Sequence, residues 1–331
     1  MISFNELFSP DNLFNAWFTY RRGKTKKISV IIFNRNIERE LFSLSENIIT
    51  GSYRHGVYHR FSVQDVKKRE INIAPIRDKI VHRVVYCFLT EIYERIFSEH
   101  SFSSRIGKGT DKAVDKLSFF LRSESSWHYG RCFALKCDIR KYFDNIGHNI
   151  LIGLIRQKVA DEKIMVIIEE IVKSFKKEKD RGLPLGNVTS QFFANVYLNE
   201  LDCFIRKDLK IIKYVRYNDD FVIVDGNKKF LEMAREAIRQ FLTQKLKLDV
   251  PGNKAVIRKF DWGIEFLGRI ILPNAIILRC KTKNKIDRNF SSESKNSYLG
   301  LLSHVNEFKF SRKLLAKLTL ADWDKFDMMT T

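Results

Sequence analysis

Two apolar runs, Ile211–Val215 and Phe221–Val224, flank the polar stretch Tyr217-Asn218-Asp219-Asp220. Apolar strands joined by a two-residue polar turn form a hairpin, and Asn tolerates the positive φ that primed hairpin turns require. This predicts a hairpin with two adjacent carboxylates at its tip. A third acid, Asp138, closes another apolar run, Cys132–Cys137. Three carboxylates on strand ends make an oxygen-rich set able to bind paired hard cations such as Mg²⁺. Most Asp-Asp pairs at turns are solvated punctuation, so the rest of the chain must overturn that reading.

The chain has 331 residues, 44% of them hydrophobic, enough for a sizeable core in about two domains or closely packed subdomains. Fifty-nine Lys and Arg against 39 Asp and Glu give a net charge of +20, which favours a polyanionic partner, nucleic acid first. No apolar run approaches the length of a membrane span, so no membrane partner is expected. The N-terminal Met1-Ile2-Ser3-Phe4-Asn5-Glu6 has no charged-then-apolar signal pattern, and the sequence reads as cytoplasmic. Five scattered cysteines, Cys87, Cys132, Cys137, Cys203 and Cys280, read as core residues. No second pair or nearby His completes a zinc site around Cys132 and Cys137.

Periodicity and punctuation order the chain. Ser9-Pro10-Asp11 opens a helix carrying Leu13, Phe14, Trp17 and Phe18, followed by the basic run Arg21–Lys27, a phosphate clamp or a solvated loop. Ile37, Leu41, Leu44 and Ile48 mark a helix ending at Gly51. Tyr58–Val63 and Arg69–Ala74 read as a basic hairpin, and Ile76 to Ile96 as a long buried helix. The Gly-rich loop Ser103–Thr110 leads into another helix without Walker-loop spacing. Helices near 147–157 and 162–176, the turn-rich loop Gly182–Asn187, and a helix to about Arg206 precede the carboxylate hairpin. A helix near 228–245, strands near 253–260 and 263–272, and a basic helical tail follow it. The order predicts an α+β fold, an antiparallel sheet layered on helices.

Asp138-Ile139-Arg140-Lys141-Tyr142-Phe143, the loop Gly182–Asn187 and the Tyr217–Asp220 turn, in this order, resemble a reverse transcriptase from roughly Tyr53 to His304. The resemblance implies a right-hand polymerase. Residues 1–130 would form an N-terminal extension and fingers, 131–272 the palm (with fingers segments around 145–185), and 273–331 a short helical thumb. It implies two Mg²⁺ ions, with Mn²⁺ as a substitute, on Asp138, Asp219, Asp220 and the backbone carbonyl of Ile139, with the three acids as the catalytic set. It assigns Lys67, Arg69, Phe143, Leu185, Gly186, Gln191 and Lys254 to the incoming dNTP. Phe143 would exclude a ribose 2′-hydroxyl. Arg105 and Lys108 are assigned to the template path, and Gly263 and Gly268, in Gly263-Ile264-Glu265-Phe266-Leu267-Gly268, to the primer.

Many reverse transcriptases carry Pro-Gln-Gly where this chain has Pro184-Leu185-Gly186, and the following Asn187-Val188-Thr189-Ser190-Gln191 ends in Ser-Gln rather than the Ser-Pro of group II intron enzymes. Together these resemble the enzymes of diversity-generating retroelements, which copy a template RNA with errors at adenine beside a small basic accessory protein. Ser297-Tyr298-Leu299-Gly300 with His304 resembles the start of their thumb. Asp78-Lys79 stands where relatives usually have Asp-Arg, and Asn218 takes a position more often small or apolar. Solitary bacterial polymerases of phage defence share parts of this pattern, so a prokaryotic or phage-encoded origin is expected under either reading. A non-catalytic RNA-binding scaffold is the alternative of another class.

Overall fold

The computed structural model describes residues 2–64, 68–128, 130–291 and 294–316. The chain divides into two compact units. The first comprises the residues up to Arg105, Ile139–Lys210 and Ala237–Pro251. The second comprises Ile106–Asp138, Ile211–Glu236 and the described residues from Gly252 onward. The strands in chain order are β1 (His59–Gln64), β2 (Lys68–Ile73), β3 (Phe133–Asp138), β4 (Tyr214–Tyr217), β5 (Asp220–Asp225), β6 (Ala255–Lys259), β7 (Ile264–Phe266), β8 (Arg269–Ile271) and β9 (Ile276–Leu278).

The first unit is mostly helical. Ser9 caps the helix Pro10–Arg21, its Oγ accepting from the Asn12 N–H at 3.4 Å, with Pro10 in the first turn where its missing donor costs nothing. Leu13 and Trp17 are fully buried, and this helix packs on Ile76–Tyr93, whereas Phe18 stays half exposed. Asp161 caps Glu162–Lys173 through the N–H groups of Lys163 and Ile164. The central helix Val188–Cys203 is buried nearly all round, polar Thr189, Ser190, Asn195 and Asn199 included, and packs on Ile76–Tyr93 and His148–Arg156. A helix over Ile28–Arg35 was not anticipated. Its Ile28, Ile31 and Ile32 face solvent and only Val30 is buried, so no amphipathic stripe announces it. β1 and β2 form the expected antiparallel hairpin.

In the second unit, four strands form an antiparallel sheet in the order β4-β5-β3-β6. Leu135, Tyr214, Phe221 and Ile223 are wholly buried, and the helix Thr110–Trp127 covers β4 and β5. Glu124 on that helix is buried and accepts from the Lys213 ammonium and the Gly226 N–H, tying helix to sheet. The stretch 263–272, expected as one strand, is instead the β7–β8 hairpin of a separate three-stranded sheet, β7-β8-β9. Leu267 (φ 48°) and Gly268 (φ 80°) both lie in the left-handed region, as a two-residue type I′ turn demands. A leucine there gave no turn signal. The tail forms the helices Cys280–Asn289 and Lys295–Leu302, where Leu278, Ile286, Leu302 and Leu314 make a small core.

The mixed α+β class expected from the element order is what the chain adopts. Among the described residues no helix is long and apolar enough to cross a membrane. The cysteines are a partial correction. Cys132 and Cys137 are buried, their thiols pushed up to about 12 chiefly by burial, but Cys87 and Cys280 are exposed.

Candidate active site

The acids converge because of strand register. β3 pairs antiparallel with β5, so Asp138, the last residue of β3, stands directly opposite Asp220, the first of β5, and Tyr217 pairs with Asp220 across the turn. Asn218 carries the positive φ (52°) that a tight primed turn needs. Arg216, fully buried on β4, donates from Nη1 to the Asn218 carbonyl at 3.2 Å and so braces the turn. All three carboxylates therefore lie at one end of one sheet, although Asp138 and Asp219 are far apart in sequence.

Two lysines lie on these acids. The Lys254 Nζ is 2.7 Å from Asp138 Oδ2, and the Lys136 Nζ is 3.5 Å from Asp220 Oδ2. Lys136 escaped the sequence reading, but period two on β3 announces it, since residues 136 and 138 share a face. Asp220 is nonetheless short of positive charge. Burial first, then the neighbouring Asp138 and Asp219, push its carboxyl up to about 7 against the opposing pull of Lys136. Its Oδ1 is enclosed without a hydrogen-bond partner. An enclosed carboxylate oxygen beside two further acids is a donor set that suits a divalent cation. As the side chains stand, no three His, Cys, Asp or Glu groups among the described residues are assembled to hold a metal ion, and the two ammonium groups sit on the carboxylates.

Of the residues expected around a nucleotide, Lys254 lies in the second unit on Asp138, whereas Arg69, Phe143, Leu185 and Gly186 lie in the first, where backbone hydrogen bonds stitch their segments together. Phe143, half-buried, accepts at its carbonyl from the Leu183 N–H at 2.8 Å, and the Leu185 carbonyl accepts from the Asn72 N–H on β2 at 2.9 Å. Asn187, buried, completes the graft: its Nδ2 donates to the Asn72 carbonyl at 2.8 Å, and its Oδ1 accepts from the Ala74 N–H at 3.1 Å. Gly186 (φ 114°) would set a Cβ 2.8 Å from Ile71 Cγ2, so only glycine allows this approach to β2. A cavity of about 310 Å³ is lined by Arg69, Leu183, Leu185, Asp144 and Lys177. Lys67 lies outside the described residues. Ile139 is buried and follows Asp138 directly in the chain. Truncating Asn187 strands two buried backbone groups, so Asn187→Ala should lower stability by about 2 kcal/mol, read as a lower urea midpoint at unchanged slope.

Other assignments land elsewhere. Gln191 accepts at Oε1 from Ser104 Oγ at 3.0 Å, while Asn195 Nδ2 donates to the Ser103 carbonyl at 2.7 Å, so both fasten the 103–104 segment to the central helix. Arg105, expected on the template path, makes its contacts inside the first unit. Its side chain is 6% exposed, its Nε and Nη2 fork onto the Glu94 carboxylate, and its Nη1 donates to the Ser98 and Ser101 carbonyls. Those donors are committed within the fold. Lys108 lies partly exposed in the loop that opens Thr110–Trp127. Gly263 (φ 77°) immediately precedes β7 and Gly268 sits in the β7–β8 turn, and a Cβ on Gly263 would meet Ile270 Cγ2 at 2.7 Å. Arg269 beside them is buried, with Nη2 on the Asp111 carboxylate.

Comparison with known proteins gives concordant matches. The family model described as "Reverse transcriptase (RNA-dependent DNA polymerase)" matches residues 64–271. The group II intron-encoded protein LtrA of Lactococcus lactis subsp. cremoris is 24% identical, over 96% of this chain and 64% of its own length. The protein YkfC of Escherichia coli is 26% identical, over 70% and 71% of the two chains. The chain thus spans about 64% of the intron-encoded relative. Among solved structures, apo telomerase from Candida tropicalis without its C-terminal domain superposes with a TM-score of 0.52 at 14% identity, covering 73% of this chain and 60% of that one. The likeness is one of fold.

Proposed function

Because the chain belongs to the reverse transcriptase (RNA-dependent DNA polymerase) family, we propose that it extends a primer with dNTPs on an RNA template from the Asp138, Asp219 and Asp220 site. The observation that carries this reading is the cross-strand pairing of Asp138 with Asp220 at the tip of a hairpin whose turn holds Asp219. Asp138 and Asp219 would hold two Mg²⁺ ions with Asp220 beside them. When bound, these ions supply charge stabilisation to the attacking and leaving oxygens of an in-line displacement. Lys254 holds the Asp138 carboxylate in place, Lys136 steadies Asp220, and Arg216 fixes the turn between them. The four-stranded sheet is read as the palm, the β1–β2 hairpin as part of the fingers, and the helices after residue 273 as the thumb.

On β2, Arg69 offers the planar donor fork suited to a triphosphate. Leu185 gives the nucleotide cavity an apolar wall where a glutamine would offer a hydrogen bond. That substitution, with Ser190-Gln191 downstream, supports error-prone synthesis in a diversity-generating retroelement with its small basic accessory protein. Sequencing the cDNA tests this reading: errors concentrated at template adenines are expected, and faithful or untemplated products would transfer the protein to the phage-defence reading. The net charge of +20 leads to a further expectation. Template–primer affinity should fall about 10³-fold or more between 50 and 200 mM salt if six or more Lys and Arg contact phosphates, read by fluorescence anisotropy. A flat dependence rules out a phosphate-lined cleft.

A further inference from the structure

A second cavity of the first unit, about 330 Å³, is walled by Lys24, Lys27, Lys79 and Arg83, with Tyr20 and His82 between them. The Lys24 ammonium lies 4.0 Å from the centroid of the Tyr20 ring and the Lys79 ammonium 5.7 Å from the same centroid, so two cations share one aromatic ring. Among the described residues none of the four cations is paired with a carboxylate. Asp78, next to Lys79 in sequence, is buried and already accepts from the Tyr53 hydroxyl at 2.7 Å and the Gly56 N–H at 3.0 Å. His82 adds no charge: burial pushes its imidazole down to about 3, and its ring nitrogens face Thr189 Oγ1 at 3.0 Å and His55 Nε2 at 3.1 Å. The crowding has an electrostatic trace. Burial, then Lys24 and Lys27, push the Lys79 ammonium down to about 8, and Lys24 is lowered by burial, Lys27 and Arg83.

Partly buried like charges destabilise a fold unless something neutralises them. A single phosphodiester brings one negative charge, too few for four cations around one hole, whereas two or three contiguous phosphates bring several. We propose that this cavity is a binding site for a contiguous polyphosphate group, carried by a free nucleotide or by the 5′-triphosphate end of an RNA. The site is separate from the cavity lined by Arg69 and Leu185. Ile73 lines this one and Asn72 the other, and successive strand residues point to opposite faces of β2. The proposal therefore stands whether or not the chain polymerises.

Isothermal titration calorimetry on the full chain, with EDTA present, uses inorganic tripolyphosphate against orthophosphate. Tripolyphosphate should bind at one site at least about tenfold tighter, and Lys24→Gln and Lys79→Gln should each weaken it about tenfold while the ligand-free melting midpoint holds or rises, since each change relieves like-charge repulsion. Lys158→Gln, at an exposed lysine of the same unit, should leave binding unchanged. An equal loss in Lys158→Gln, or equal binding of the two anions, overturns the proposal. Competition then separates the sources. Displacement by ATP identifies a nucleotide, and displacement by 5′-triphosphorylated but not 5′-hydroxyl RNA identifies a strand end. Equal displacement by both RNAs rejects contiguity in favour of a strand backbone. If neither ATP nor RNA displaces tripolyphosphate, the cavity takes an adventitious ion only and the proposal fails.

Discussion

Asp138→Asn and Asp219→Asn should each reduce primer extension on an RNA template with Mg²⁺ by on the order of 10³-fold or more, leaving the thermal unfolding midpoint nearly unchanged. Each change keeps the shape of the side chain and removes the charge that would hold a cation. Asp138 sits at a strand end, 41% exposed and paired with the Lys254 ammonium, so its loss leaves no buried cation behind. Activity is therefore expected to collapse without the fold. A variant that extends primers within tenfold of the parent would remove these acids from the chemistry, and a variant that melts much earlier would make them structural. Lys254→Met supplies a graded comparison, since it frees Asp138 without removing a carboxylate.

The second large effect is expected at Arg105. Arg105→Ala should lower unfolding free energy by about 3 kcal/mol, the lower end of the cost of breaking a buried ion pair, because Glu94 keeps about a third of its side chain in water. Two carbonyls, those of Ser98 and Ser101, lose their donor as well. Arg105→Lys should recover only part of this, since one ammonium cannot replace a fork that reaches a carboxylate and two carbonyls. Chemical unfolding of the three proteins is the measurement. If Arg105→Ala unfolds like the parent and loses template affinity instead, the residue belongs to the template path after all.

The two acids and Arg105 also mark what could be read from the sequence. The acids were legible because a two-residue polar turn between apolar runs fixes a hairpin locally, and because Asp138 ends a run of strand character. The Glu94 partner of Arg105 was not legible because a basic residue in a Gly-rich loop has the same appearance whether it faces solvent or a carboxylate eleven positions earlier. The graft of Leu185 and Asn187 onto β2 joins segments more than a hundred residues apart and leaves no local trace. The β7–β8 hairpin was missed because Leu267 takes a conformation that leucine seldom adopts, so tertiary packing overrode turn chemistry. Lys136 was within reach, since the alternation that named Asp138 also puts Lys136 on its face.

The pairing of β3 with β5 has one more consequence, for how this gene can drift. Alternate residues of each strand point to opposite faces, so inserting or deleting a single codon within 133–138 or 220–225 would turn the acids toward the wrong side while the backbone ladder re-formed. Exchanges among Val, Ile, Leu and Phe leave that ladder alone. Across descendants of this chain, those two six-residue spans should therefore vary in spelling and keep their length, and frame-preserving indels should collect in the loops.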